Sequence, residues 1–133
     1  MKEKIIVYPA IFTKTVEKGT EYVEVAFIDF DCNTFGTSLA EAFAMAQDAM
    51  GDVLVDKKEM PKATENIKKI KLKDNQFISF VTLDLDDYRR KNNNRAVKKT
   101  LSIPEWLNML AEAEGINFSQ TLQDALKEKL EID

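Results

Sequence analysis

Histidine is absent from this chain of 133 residues, and cysteine occurs only once, as Cys32. The lack of histidine removes the commonest general acid–base group and the commonest nitrogen ligand of metal ions. Any catalysis would therefore depend on carboxylates, lysines or Cys32. A single cysteine excludes an internal disulfide and is typical of proteins in a reducing compartment. We therefore expect a cytoplasmic protein with no metal and no cofactor.

Long apolar runs are also missing. No stretch approaches the roughly 20 apolar residues of a membrane span, and the apolar run near the start, Ile5-Ile6-Val7, is too short for a secretory signal. We therefore expect no membrane association. Hydrophobic residues nevertheless make up 44% of the chain, enough for a folded core. The length leaves room for one ordinary domain or two small ones.

The net charge of −4 conceals a segregated distribution. Residues 1–60 carry 6 basic and 11 acidic side chains, residues 61–99 carry 11 basic and 5 acidic, and residues 100–133 carry 2 basic and 7 acidic. A basic belt thus lies between two acidic ends. Its position says more about binding partners than the total charge does.

The first part of the chain predicts an α+β domain of order β-β-β-α-β. Alternation of apolar and polar residues predicts strands over residues 5–14, 22–27, 32–36 and 76–85. Pro9 places the first strand at an edge or at a bulge, and Lys18-Gly19-Thr20 predicts a hairpin turn. Thr37 or Ser38 is expected to cap a helix whose apolar residues recur with helical spacing from Leu39 to Leu54, so that one face packs on the sheet.

The remaining segments define the domain boundaries. Residues 62–74 are polar and rich in lysine, which predicts a surface loop, and residues 86–91 close the first domain. Asn92-Asn93-Asn94 favours neither helix nor strand and predicts a linker. We therefore predict domains over residues 1–91 and 95–133, joined by a linker over 92–94.

The second domain is predicted to be a strand followed by two short helices. The strand spans 95–103, Pro104 stands where a helix can begin, and helices follow over 105–114 and 118–130. Gly115 is placed to end the first helix, and Asn117 with Gln120 has capping-box spacing. About 40 residues without a disulfide or metal bury too little apolar surface to fold alone. Pairing of two such strands, with four interlocked helices, would solve this.

That arrangement is the ribbon–helix–helix dimer, which this segment resembles in its S-I-P-E-W-L junction, its Gly115 turn and its Asn117 cap. The resemblance implies that Val97, Leu101 and Ile103 pack on the helices and that the opposite strand face lies in the DNA major groove. Backbone N–H groups that open the second helix would hold a phosphate. The DNA-binding residues implied are Lys98, Thr100 and Ser102, with Lys99 at the end of the ribbon, Arg95, and Asn117, Phe118 and Ser119. Arg89, Arg90 and Lys91 would add phosphate contacts.

The first domain also resembles a family, the HicB antitoxins. The resemblance is carried by Y-P-A-I-F at residues 8–12, by the stretch from Phe27 to Ala42 with its C-x-T-x-G core, and by V-x-L-D-x-D-x-Y-R-R-K at residues 81–91. One departure is clear: the family's L-P-G-C is Asp-Phe-Asp-Cys here, at residues 29–32. Together the two resemblances cover nearly the whole chain.

Membership of the HicB family would imply a toxin-neutralising domain of partial ribonuclease H-like fold, with no catalytic role. The partner would be a HicA-type toxin, a small basic ribonuclease, which the acidic first domain would occlude. The chain would also bind operator double-stranded DNA and repress its own operon as a homodimer, with pairing of dimers into tetramers left open. The expected toxin contacts are Glu21, Glu24, Asp29, Phe30, Asp31 and Phe35.

Two other functions compete with this one. The chain could be a ribbon–helix–helix regulator whose first domain senses a small ligand, although the sequence offers no glycine-rich phosphate loop. It could also be a nuclease that uses Glu24, Asp29 and Asp31 to hold Mg²⁺. Alternation sends Glu24 to the face opposite Val23 and Val25, which disfavours that cluster. Cys32 lacks a histidine partner and is interpreted as a small core residue.

Overall fold

The computed structural model describes residues 5–132 and shows an α+β protein with a four-stranded antiparallel sheet and four α-helices in that part of the chain. The strands are β1 (Ile5–Glu17), β2 (Thr20–Phe27), β3 (Asn33–Gly36) and β4 (Gln76–Asp84). The helices are α1 (Leu39–Leu54), α2 (Leu85–Asn92), α3 (Glu105–Ala113) and α4 (Phe118–Lys129), with a short 3₁₀ turn at Ile67–Lys69. The described residues form two compact units, divided between Asn94 and Arg95.

The sheet of the N-terminal unit, up to Asn94, has the order β3-β2-β1-β4. The predicted hairpin between β1 and β2 is confirmed, since Lys18 and Gly19 both have positive φ, at 51° and 81°. Two successive residues with positive φ match the twist of the flanking strands. All four strands predicted for this unit are present, with ends shifted by a few residues.

The edge position expected from Pro9 is wrong for β1 as a whole, because this strand lies between β2 and β4. Pro9 pairs with Phe80 of β4, but the ladder with β2 begins only at Ala10. Proline is therefore tolerated where β1 has a neighbour on one side alone, since its missing N–H then removes no ladder bond.

Helix α1 covers one face of the sheet. Ser38 caps it, accepting a hydrogen bond from the Glu41 N–H at 3.1 Å, while Glu41 accepts one from the Thr37 N–H at 3.0 Å. Its buried face meets the inward side chains of the strands in a single core; the large residues of this core include Phe12, Val25, Met50, Leu54 and Val81. Gly36 lets α1 start close to the sheet, since a Cβ there would lie 2.4 Å from the Ala42 nitrogen.

The sequence did not predict α2, and the linker assignment over residues 92–94 is wrong at its first residue. Asn92 is the last residue of α2, and its side-chain amide donates to the Tyr88 carbonyl at 3.0 Å. Asp84 caps the helix by accepting from the Asp87 N–H at 3.0 Å. The N-terminal unit therefore has the order β-β-β-α-β-α.

Helix α2 is held against α1 by two side chains. The Tyr88 ring lies on Gly51, and its hydroxyl donates to Asp52 at 2.8 Å. Burial raises the pKa of Tyr88, and the hydrogen bond to Asp52 is the next largest cause of this increase. The Arg89 guanidinium donates to the Val55 and Lys57 carbonyls, at 3.0 and 3.2 Å, and so closes the end of α1.

None of the helices in residues 5–132 is both long enough and apolar enough to cross a lipid bilayer.

Candidate functional site

The C-terminal unit, from Arg95 onward, has no buried residue among those described. Its large apolar side chains are mostly open to solvent in the single chain, from 76% for Val97 and 64% for Trp106 to 40% for Leu107. The large apolar residues exposed in this way are Val97, Leu101, Ile103, Trp106, Leu107, Met109, Leu110, Ile116, Phe118, Leu126 and Leu130. An exposed apolar surface of this size is typical of an interaction site.

The two helices of this unit are nevertheless fixed relative to one another by local hydrogen bonds. At the end of α3, the N–H of Ile116 donates to the Ala111 carbonyl and that of Gly115 to the Glu112 carbonyl, both at 3.0 Å, with Gly115 at φ 67°. This is the Schellman arrangement. Asn117 then caps α4 by accepting from the Gln120 N–H at 3.0 Å. The caps predicted at Gly115 and Asn117 are confirmed, but the capping box is not complete, because the Gln120 side chain donates to Asp124 at 2.9 Å.

A groove of about 510 Å³ opens between α3, α4 and the segment that precedes them. Its walls include Leu101 and Ile103 on one side and Phe118, Leu122 and Ala125 on the other. The groove is mainly apolar and open, and it could receive apolar side chains from a partner.

Residues 95–103 form no strand in the single chain, where the sequence predicts one. The physical reason is that a β-strand is defined by pairing, and the described residues offer this segment no neighbouring strand. Lys99 lines the groove together with Leu101 and Ile103, in agreement with their shared parity. Lys98, Thr100 and Ser102 are exposed, as is Arg95. The DNA-reading role of these side chains stays a prediction.

The start of α4 has the groups that a phosphate contact would use. The N–H groups of Phe118 and Ser119 lie in the first turn and donate to no acceptor among the described residues. Asn117 supplies the cap, and Phe118 and Ser119 also line the groove. One end of the groove thus carries unpaired donors at the positive end of a helix dipole.

The six residues predicted to contact a toxin fall into separate places of the N-terminal unit. Glu24 and Phe35 are direct partners across β2 and β3 and lie on the sheet face away from α1. Tyr22 packs its ring edge against Phe35, with centroids 5.9 Å apart. A shallow cavity of about 320 Å³ on this face is lined by both Glu24 and Phe35. Glu21 is exposed at the start of β2.

Asp29, Phe30 and Asp31 lie in the loop between β2 and β3. The Asp29 carboxylate accepts hydrogen bonds from the Thr64 N–H, at 3.0 Å, and from the Thr64 hydroxyl. Phe30 stacks on Phe27 and meets Tyr8 edge-on, with centroids 4.8 and 5.1 Å away. Both side chains therefore hold the fold together, and only Asp31 of the three is exposed.

The structure does not bring Glu24 together with the loop aspartates. Glu24 is exposed on the face opposite to the buried Val23 and Val25, as alternation predicts. Among residues 5–132 no group of three or more Cys, Asp or Glu side chains could hold a metal ion. Cys32 is buried, as expected of a core residue, and burial together with the nearby Asp31 raises its pKa.

The sequence did not predict that Arg89 and Tyr88 hold α2 against α1. We expected Arg89 to contact phosphate, but its guanidinium donates to the Val55 and Lys57 carbonyls and lies 3.9 Å from Asp86. A local signal was present, because Asp84 precedes two acidic residues and then three basic ones, as at the start and end of a helix. Arg90 and Lys91 stay exposed.

The chain matches no protein-family model, and no curated protein matches it.

Proposed function

We propose that this protein is a HicB-type antitoxin. It masks a small basic ribonuclease of the HicA type with its N-terminal unit, and it binds operator DNA as a dimer built from its C-terminal units. The observation that carries this proposal is the apolar surface of the C-terminal unit, which has no buried residue in the single chain. The resemblance of its motifs to the HicB and ribbon–helix–helix families supplies the rest.

The groove and the unpaired segment before it support dimerisation. A second copy would pair residues 95–103 with the same segment of the first, and its apolar residues would fill the groove. Two strands so paired expose Lys98, Thr100 and Ser102 on one face, where lysine donates to guanine and the hydroxyls donate or accept. The acidic side chains of α3 and α4 would then face away from DNA.

For toxin binding the structure favours the sheet face that carries Glu24 and Phe35. Phe35 is 55% exposed and is supported by Tyr22, so it offers a rigid apolar contact beside a carboxylate. An aromatic anchor beside acidic groups suits a basic partner. Asp31 and Glu21 would extend the acidic surface. A location in the cytoplasm, where the toxin's RNA substrates are, belongs to the same proposal.

The experiment that tests the division of labour is the triple change Lys98→Ala, Thr100→Ala and Ser102→Ala. We expect binding to the DNA upstream of the protein's own gene to fall at least about 100-fold, since several base contacts of about 1–3 kcal/mol each are removed. Toxin neutralisation should stay unchanged. A gel-shift titration and a toxin-rescue assay on the same variant measure the two quantities.

The matched control changes Gln123 and Lys127 of α4 to alanine, which removes an amide and one lysine, the same charge as in the ribbon variant, at exposed positions outside the ribbon and the groove. The control should bind DNA with nearly the affinity of the unchanged chain. Loss of both DNA binding and toxin neutralisation in the ribbon variant, or of neither, would contradict the proposed roles of the two units.

A further inference from the structure

A stretch of the N-terminal unit, residues 62–73, carries an excess of positive charge that the proposed function does not use. This stretch, the lysine loop, contains five lysines and one acidic residue, Glu65. All five lysines are exposed, at positions 62, 68, 69, 71 and 73. The described ion pairs lie elsewhere, at Arg89–Asp86 and Lys91–Asp87, so the loop charges are not neutralised within residues 5–132.

The lysine loop is anchored at both of its ends. On the side of α1, the Tyr8 hydroxyl donates to the Pro61 carbonyl at 2.6 Å and Asp29 binds Thr64. On the side of β4, the Lys73 N–H donates to the Gln76 side chain and the Gln76 N–H to the Lys73 carbonyl, both at 3.0 Å. The lysines therefore lie on a segment whose two ends are held by hydrogen bonds to the rest of the unit.

Within the loop, two isoleucines are more buried than the lysines, while Leu72 is exposed. Ile67 begins the 3₁₀ turn and Ile70 follows it; both are half-buried, and the Ile70 N–H donates to the Ile67 carbonyl at 3.2 Å. Lys68, Lys69 and Lys71 are exposed. Four lysines within six residues repel one another, and a polyanion would relieve that repulsion.

We propose that the lysine loop binds the phosphate backbone of duplex DNA without regard to sequence. This inference rests on the proposed DNA binding, because the C-terminal ribbon would bring the protein to a DNA duplex. Lysine ammonium groups act as point charges toward phosphate. The loop contains no aromatic residue and no arginine on which unpaired bases could stack, which favours a duplex over single-stranded RNA.

The lysine loop would also separate the two partners. A basic toxin is repelled by this segment and attracted by the acidic surface around Glu24, so the toxin and DNA would occupy different parts of the N-terminal unit.

The test uses the full chain with Lys68, Lys69, Lys71 and Lys73 changed to glutamine, titrated against a labelled random-sequence DNA duplex at several salt concentrations. Each lysine–phosphate contact contributes about 0.9 to the slope of log affinity against log salt, so the slope should shrink by roughly 2 to 4. The affinity at about 0.1 M salt should fall roughly 10- to 100-fold. The control changes Lys14, Lys58, Lys127 and Lys129 to glutamine, which alters the net charge equally.

Equal affinity and slope for the loop variant and the control would overturn the inference. So would a larger loss of affinity for single-stranded RNA of the same length than for the duplex. The ribbon variant, titrated against the DNA upstream of the gene, separates the two proposals. If it keeps its affinity for that DNA while the loop variant loses random-duplex binding, the ribbon assignment fails and the lysine loop stands; the reverse pattern removes the loop and keeps the ribbon.

Discussion

Gly51 is the residue on which the packing of α2 against α1 most directly depends. A Cβ at this position would lie 2.5 Å from two carbons of the Tyr88 ring, closer than any stable contact. Tyr88 in turn is the residue of α2 that reaches Asp52. The absence of a side chain at Gly51 therefore lets the aromatic ring lie directly on the backbone of α1.

We predict that Gly51→Ala destabilises the protein by roughly 1–3 kcal/mol, because the added methyl group pushes the Tyr88 ring away from α1. The sign is informative, since the same change at an exposed position inside a helix stabilises by up to about 1 kcal/mol. Urea denaturation followed by circular dichroism measures the difference.

The control is the same glycine change made in a Tyr88→Ala background. There the ring is absent, so the added methyl group has room and should be neutral or stabilising. A full destabilising effect of Gly51→Ala without the Tyr88 ring would show that our explanation of this contact is wrong.

Single residues were predictable from the sequence where their role is local. Ser38, Gly115 and Asn117 act on groups within four residues of themselves, and each has the capping role expected. The roles of Asp29 and Arg89 were not predictable, since their partners lie more than 30 positions away along the chain. A pattern of neighbours carries no information on such contacts.

Among the elements, α3 holds the clearest evidence for an interface. Leu110 is 60% exposed and lies on the apolar stripe with Trp106 and Leu107, whereas Met109 is 64% exposed and lies off that stripe. In the single chain the two residues are almost equally open to solvent. In a dimer whose interface is the stripe, Leu110 would be buried and Met109 would stay exposed.

We predict that Leu110→Glu weakens dimerisation by roughly 100-fold or more, because it would place an unpaired charge in an apolar interface. Met109→Glu adds the same charge one residue away and should leave the dimer intact. Sedimentation equilibrium of the two full-length variants over a range of concentrations makes the comparison. Equal association of the two variants would mean that the stripe is not the interface.

The elements themselves show where sequence reasoning succeeds and fails. Strands β1 to β4 and helices α1, α3 and α4 were predicted because apolar residues recur in each with a clear period. Helix α2 was missed because it is short and mostly charged, with only Leu85 and Tyr88 buried. The interior position of β1 was missed because strand order depends on pairing between distant segments.

On the scale of the whole molecule, charge is divided between segments of the chain. Acidic residues dominate residues 1–60 and 100–133, while the lysines of residues 62–73 and the basic residues of 89–99 form the belt between them. The separation suits a protein with a basic protein partner and a polyanionic one. The sequence predicted this separation directly, since charge is read from composition without knowledge of the fold.

The sequence did not predict how the charged groups of the N-terminal unit are divided. Glu24 and Phe35 are 11 positions apart along the chain but adjacent across two strands, whereas Asp29 is occupied by Thr64. The toxin contacts proposed from the sequence were therefore one undivided list of acidic and aromatic residues, and the structure separates its exposed members from the two that pack within the fold. This preference depends on strand register, which a list of charges does not contain.

The most direct test of the account is to express the product of the adjacent gene, if it is a small basic protein containing histidine, with and without this chain. Growth and RNA integrity would be followed in both cultures. We predict growth arrest with RNA decay when the neighbour is expressed alone, and recovery of both when this chain is present. Absence of toxicity, or toxicity that this chain cannot relieve, would contradict the antitoxin function and favour a ribbon–helix–helix regulator whose N-terminal unit binds a small ligand.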